Sequence, residues 1–452
     1  MRASPPDPDS PEMITVLDLF AGCGGFTQGF HEFRPEGARS GGPVFQSIAA
    51  VEHNAAAAAT YAVNFGRGRR DKRLPAAHVH LGDIEEWEPT EDDLHADVVV
   101  GGPPCQGFSA LNRNKKGTER NRLWEEYVRI VAKVRPKVFV IENVDRFLKS
   151  DEFRNLLSEV EEGGLLAEYR LVDPPGNKPS DTAEQKHKRY LLNAANYGAL
   201  QARRRAIVIG VRRDADSGRA MEYPVPKHVR RPKRGDNVST QPLDGVNMEP
   251  MYWRAVDSVF DESSSLRVRG TELPDSKEYV PEVDAVLPGI FTTPDLHFGR
   301  NPEPLSRARY KAIPPGGNRK DLREKWYTVH GNGEIEVFET SNPPGIETPV
   351  EPLSTPSWDN HNTGTGDVMG RLRFGEPSVT IRTEFFKPEK GRYLHPTAAR
   401  PITHYEAARI QGFPLDFRWC GSKTEIARQI GNAVPIQLGT AIASAIHAYL
   451  RD

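Results

Sequence analysis

At 452 residues the chain is long enough for two or more domains, each with its own core. A formal charge of −2 lacks the basic excess that a nucleic-acid partner usually leaves, and the three cysteines, Cys23, Cys105 and Cys420, form no CxxC pair that would suggest a disulfide framework or a zinc site. No apolar run reaches the roughly 18 residues of a membrane span, and the opening MRASPPDPDSPE is unlike a signal peptide, so a cytoplasmic protein with a disordered tail over residues 1 to 12 is expected.

In chain order, strands are predicted at ITVLDLF (14 to 20), VFQSIAAVE (44 to 52), HVHLGDI (78 to 84), ADVVVGG (96 to 102), VFVIENV (138 to 144) and AIVIGVRR (206 to 213). Helices are predicted between them at residues 54 to 65, 123 to 134 and 152 to 164, giving an α/β sheet with helices on both faces. From about 214 to 399 Pro, Gly and charged residues rise and helical periodicity fades, as in a loop-rich domain inserted before the first one is complete. The chain then returns to an amphipathic helix over 424 to 450. Basic clusters stand at 66 to 73, 112 to 122, 201 to 205 and 230 to 235, and acids gather at 85 to 93 and near 159 to 162. Taken singly, each basic run reads as a solvated face.

The residues with chemistry fall at strand ends. Strand one runs into Asp18-Leu-Phe-Ala-Gly22-Cys-Gly24-Gly25, a Gly-rich turn that lets a ligand approach the backbone at a helix N-terminus. Strand two ends at Glu52, suited to two ribose hydroxyls, and strand three at Asp83, suited to an adenine amino group. Strand four leads into Gly101-Gly-Pro-Pro-Cys105-Gln-Gly-Phe-Ser109, where two prolines make a rigid platform for a thiol. Glu142-Asn143-Val144 ends strand five, and Gln201-Ala-Arg203-Arg-Arg205 precedes strand six. A thiol, an acid and an Arg pair therefore converge near one sheet edge.

The ordered series DLFAGCGG, VE, GD, GGPPCQGFS, ENV, QARRR, RPITHYEAARIQGFP (400 to 414) and RQIGNAVP (428 to 435) resembles the DNA cytosine-5 methyltransferases, of the bacterial restriction-modification type. The likeness covers roughly 14 to 213 and 371 to 450, with echoes at IPPGGN (313 to 318) and SVTIRT (378 to 383). A longer first crossover, EGARSGGP (36 to 43), departs from it without touching a motif residue.

The resemblance implies a Rossmann-like S-adenosylmethionine-dependent methyltransferase fold with a smaller target-recognition domain inserted. The expected division is a catalytic domain over 13 to 213, a recognition domain over 214 to 399, a hinge over 400 to 423 and a helix over 424 to 452 that completes the cofactor site.

Cytosine C5 is a poor nucleophile until a thiolate adds to C6, a role that suits Cys105. Glu142 would share a proton with N3 if burial raises its proton affinity, and Arg205, supported by Arg203, would bind O2 and hold the carboxylate. The target base must leave the duplex to meet them. The Asn/Gly-rich basic stretch from Gln106 to Arg122 reads as a loop that closes over DNA, with Gln106, Ser109, Arg113, Lys115 and Lys116 as contacts.

The family pattern places Phe20, Gly22, Cys23 and Gly24 along the methionine and ribose of S-adenosylmethionine, which leaves as S-adenosylhomocysteine. It places Glu52 on the ribose and Asp83 with Ile84 on the adenine, with Pro104 and Leu123 adding contacts and Asn432 closing the pocket. No metal is expected. The residues of RPITHYEAARIQGFP read as structural, organising the hinge.

A tRNA cytosine-5 methyltransferase would carry a Cys-Phe-Thr tripeptide, absent here, and the large insert favours DNA. A Rossmann dehydrogenase using NAD would suit the first turn and Glu52 but leaves PPC, ENV and QARRR unexplained. A silent DNA-binding relative would have lost Cys105 or Glu142, and both are present. Double-stranded DNA is the expected partner of a prokaryotic monomer, with a restriction endonuclease or phage-defence system as its functional counterpart. Base-edge contacts are expected from Arg and aromatic residues at 307 to 313 and 358 to 371, while the target sequence has no readable code.

Overall fold

The computed structural model describes residues 13–35, 43–69, 74–104, 122–215, 219–232, 251–360 and 367–451. The Val/Ile-rich runs form the centre of one sheet and are buried on both faces, as parallel strands under helical cover must be. β1 (Ile14–Leu19), β2 (Phe45–Glu52), β3 (His78–Leu81), β4 (Val98–Gly101) and β5 (Val138–Asn143) are parallel. Two short strands that the sequence reading missed, β6 (Tyr169–Leu171) and β7 (Leu191–Asn193), and the long β8 (Arg204–Arg212) complete the sheet. Its order is β3-β2-β1-β4-β5-β8-β6, with β7 also on β8. The order reverses between β1 and β4, and such a reversal opens a crevice at the carboxyl ends of the strands. Among the helices here are α1 (Gly25–Glu32), α2 (Ala55–Phe65), α3 (Leu123–Val134), α4 (Asp151–Glu159) and α5 (Ala183–Arg189).

β8 runs antiparallel to β5, with Glu142 opposite Ile207 and Asn143 opposite Ala206. The start of β8 therefore meets the end of β5. This direction is what brings Arg203 and Arg205 to the carboxyl edge of a parallel sheet.

After β8 the chain builds small units. β9 (His228–Val229) pairs with β10 (Met251–Tyr252), α6 (Asp257–Ser264) follows, and β11 (Lys277–Val280) and β12 (Ala285–Pro288) form a hairpin. β13 (Phe291–Thr292) is followed by α7 (Pro304–Ala312), then by a sheet of β14 (Trp326–Val329), β15 (Ile335–Phe338) and β16 (Glu351–Pro352), then by the one-turn α8 (Pro356–Asp359). Further along, α9 (His404–Gln411) leads to β17 (Arg418–Trp419), which pairs back to β13.

The stretch from 214 to 399 is divided among three cores, with Met221 and Tyr223 packed into that of the main sheet. Tyr310, Ile313, Leu322, Tyr327, Leu353 and Met369 make a small one of their own. Val256, Phe260, Phe291, Leu372 and Ile381 instead join α2 and α9 in a second large core.

Most of the expected base-reading residues are spent inside the small unit. Arg309 lies 4.6 Å over the Trp358 ring and donates to the Leu353 carbonyl. Arg371, 2% exposed, donates to the carbonyls of Tyr310, Ile313, His395 and Ala398. Buried carbonyls left by irregular backbone need donors, and these guanidiniums supply them. Residues 361–366 lie outside the described residues.

The helix predicted over 424 to 450 is two helices, α10 (Lys423–Asn432) and α11 (Ile436–Arg451), bent by 41°. Pro435 sits in the break, and its missing N–H and ring would disrupt a continuous helix. No single helix among the described residues is long and apolar enough to cross a membrane.

α11 packs closely on α1. A Cβ on Gly29 would lie 2.7 Å from the Ile436 carbonyl oxygen and 2.8 Å from the Thr440 nitrogen, so Gly29→Ala must push the two backbones apart. We expect it to cost about 1–3 kcal/mol in chemical denaturation. An unchanged midpoint would show that the helices separate freely.

Candidate active site

The turn after β1 is built from left-handed residues: Phe20 at φ 55°, Gly22 at φ 55° and Gly24 at φ 87°. Gly24 caps α1, and a Cβ there would also strike the Phe65 ring at 2.4 Å. Phe20 holds a conformation that costs a non-glycine residue energy, a cost that clusters at ligand sites. The turn approaches the end of β2, where Glu52 Oε2 accepts from Gly22 N at 2.9 Å and Oε1 from Asn54 N at 2.8 Å.

One strand across the reversal, β4 runs out through Gly102, Pro103 and Pro104. Asn143 Nδ2 donates to the Pro103 carbonyl at 3.0 Å and so ties this exit to the end of β5. A Cβ on Gly102 would lie 3.0 Å from Glu142 Oε2, so the glycine leaves room for the acid. Arg205 Nε stands 2.6 Å from Glu142 Oε1, with the two side chains 15% and 12% exposed. The contact is a charge pair more than an aligned hydrogen bond, because Oε1 is buried and receives no well-directed N–H.

Arg203 is placed differently from Arg205. It is 1% exposed and donates through Nη1 to the Ile381 carbonyl at 2.8 Å and through Nη2 to the Gly431 carbonyl at 2.9 Å. Burial, and next the neighbouring Arg205, push its pKa down, while Glu142 opposes them. A guanidinium stays protonated in proteins all the same. With its ends committed to carbonyls, Arg203 braces the wall behind the pair, and Arg205 is the guanidinium that meets the acid.

These elements enclose a cleft of about 700 Å³. Of the predicted residues, Phe20, Gly22, Cys23, Glu52, Pro104, Glu142, Arg203, Arg205 and Asn432 line it. Gly24, Asp83, Ile84 and Leu123 stand back from its wall. Asp83 accepts from Glu85 N at 3.0 Å, Ile84 is in the core, and Leu123 packs against that core. Cys105, Gln106, Ser109, Arg113, Lys115 and Lys116 lie outside the described residues. His53, Asn54, Arg428 and Gln429 line the cleft and were missed. The spacing of 425, 428 and 432 on one helical face was the available signal.

Asp18 also lines the cleft, beneath the turn, where Thr27 Oγ1 donates to Oδ2 at 2.9 Å. Burial first, then the Glu52 charge, raise its pKa from 3.8 to about 7 against the Thr27 hydrogen bond. A carboxyl whose folded pKa is raised stabilises the fold fully below about pH 4 and loses that contribution as pH rises toward 7. Asp18→Asn should therefore be more stable than the parent at pH 8, by on the order of 2–4 kcal/mol, with the gap closing toward pH 4. Denaturation curves across that range check it, and a pH-independent gap would refute the buried charge.

A sequence model of C-5 cytosine-specific DNA methylases matches residues 14–245 and 310–448. The chain belongs to that family. The methylase is 28% identical to Type II methyltransferase M.AgeI of Thalassovita gelatinovora, over 96% of this chain and 99% of that protein. It is 29% identical to Type II methyltransferase M.XorII of Xanthomonas oryzae pv. oryzae, over 96% and 85%. DNA (cytosine-5)-methyltransferase 1 of Mus musculus is 26% identical over 95% of this chain, which spans 28% of that longer protein.

In fold the methylase resembles a prophage-encoded E. coli protein described as a DNA modification methyltransferase, with TM-score 0.56, 20% identity and coverage of 97% and 100%. The fold is thus that of an S-adenosylmethionine-dependent methyltransferase, and the chain is an enzyme that methylates cytosine at C5 in DNA. The dehydrogenase reading is set aside.

Proposed function

We propose that the cleft between β1 and β4 is where a cytosine rotated out of duplex DNA meets Cys105, Glu142 and Arg205. The observation that carries this reading is the Glu142–Arg205 pair at 2.6 Å, facing the exit of β4 one residue before Cys105. The Cys105 thiolate forms a bond to C6 while Glu142 shares a proton with N3 and Arg205 takes O2, which makes C5 electron-rich. C5 takes the methyl group as its bond to the sulfonium sulfur breaks and leaves a neutral thioether, the C5 proton passes to solvent, and the bond between C6 and the Cys105 sulfur breaks to return the thiolate.

The cleft suits S-adenosylmethionine. Its volume falls in the usual range for a cofactor, and Glu52 keeps lone pairs for ribose hydroxyls beyond those that Gly22 N and Asn54 N occupy. Phe20, Gly22, Cys23 and Asn432 would hold the rest of it. When bound, it supplies an electrophilic methyl on a cationic sulfur. No metal enters this scheme.

The small unit around α7 and β14–β16 is the natural site of sequence recognition, in a cytoplasmic, monomeric enzyme. The bacterial relatives named Type II methyltransferases support a restriction-linked role.

Bisulfite sequencing of plasmid DNA from expressing cells tests the whole reading. Cytosines protected in one recurring context are expected; none, from soluble protein that binds the cofactor, would overturn it.

A further inference from the structure

A second concave surface adjoins the first. Its cavity of about 540 Å³ begins at Ala202, next to the Arg203 that backs the active cleft, and runs between the 373–393 segment and Arg230, Arg231 and Trp253. The chain as a whole is slightly acidic, yet this surface carries six cations and two acids. Both acids are already matched: Asp367 lies 2.9 Å from Arg392, and Glu376 lies 3.4 Å from Arg373. Arg230, Arg231 and Arg382 are exposed and meet no carboxylate among the described residues. Arg231 rests 5.3 Å over the Tyr252 ring, which aims it without neutralising it.

Three unneutralised guanidiniums converging in one groove ask for a polyanion, and planar guanidinium forks match phosphate oxygens. The neighbouring active cleft says which one. A cytosine that reaches Glu142 and Arg205 stays joined to its strand, so the flanking phosphates must pass along the edge where Ala202 lies.

Resting on the reading above, we propose that this groove carries the sugar–phosphate backbone of the target strand beside the rotated cytosine, with Arg382, Arg230 and Arg231 as phosphate contacts. Such contacts position the strand and carry no base information. They account for binding strength where Arg371, buried among carbonyls, cannot.

The test is fluorescence anisotropy with a short labelled DNA duplex of mixed sequence plus S-adenosylhomocysteine, titrated between about 50 and 200 mM salt. Each lost phosphate contact lowers the slope of log affinity against log salt by about one. Arg382→Gln should therefore lower it by about one and the paired Arg230→Gln/Arg231→Gln change by about two, with S-adenosylhomocysteine affinity unaltered as the sign of an intact fold. Parental slopes in both folded variants would overturn the groove assignment alone. Failure of the parent enzyme to bind the duplex would overturn the active-site reading beneath it.

Discussion

Cys105→Ala should lower methyl transfer by roughly four orders of magnitude or more while S-adenosylmethionine still binds. The argument runs through the other thiols. Cys23 is 2% exposed, and burial pushes its pKa far above the range of a reactive thiol. Burial likewise pushes Cys420 up to about 12, even with Arg418 nearby. Neither holds a thiolate at neutral pH, and addition to C6 needs one. Of the three cysteines that leaves Cys105, which in sequence follows Pro104, a residue of the cleft wall. Transfer of radiolabelled methyl groups, alongside cofactor binding by calorimetry, measures both halves of the expectation. Turnover retained by the alanine variant would mean that a different group attacks C6, or that none does.

Glu142→Gln should reduce kcat by about 10²–10⁴-fold, the usual worth of a positioned proton donor. Glutamine keeps the size and the acceptor oxygen but cannot pass a proton to N3. It also leaves Arg205 without its counter-charge in a site where the side chains are only 15% and 12% exposed, so some stability is lost as well. Arg205→Lys separates charge from shape: it preserves the cation and removes the planar fork, and should lower kcat while the fold stays intact. Near-parental kcat in Glu142→Gln, with the variant folded and binding cofactor, would remove the acid from the mechanism.

Much of this site could be read before the fold was known, for a physical reason. Parallel strands buried on both faces announce themselves as Val/Ile runs, and the residues just past them are bound to share one edge, so Phe20, Glu52, Pro104 and Glu142 could be grouped. What the pattern does not encode is direction. Nothing in AIVIGVRR tells whether β8 runs with β5 or against it, and only the antiparallel course puts Arg205 beside Glu142. Nor does a run of arginines reveal which guanidinium faces inward. Arg203 turns to the carbonyls of Ile381 and Gly431 because those groups come from distant parts of the chain and need a donor. The same blindness hid the burial of Arg371, whose carbonyl partners lie across an irregular unit with no periodicity to give them away. Asp83 and Ile84 were expected at the end of strand three, but β3 stops at Leu81 and both stand back from the cleft wall.

The bracing of Arg203 has a consequence for how the enzyme comes into being. Its anchors, Ile381 and Gly431, are translated long after the strand that bears it, and Asn432 and Gln429 complete a cleft whose first wall was made at Phe20. A nascent chain that has not yet released α10 from the ribosome already carries the thiol, the acid and the arginine, but its cofactor cleft is open on one side. The cleft is therefore complete only once α10 has joined it.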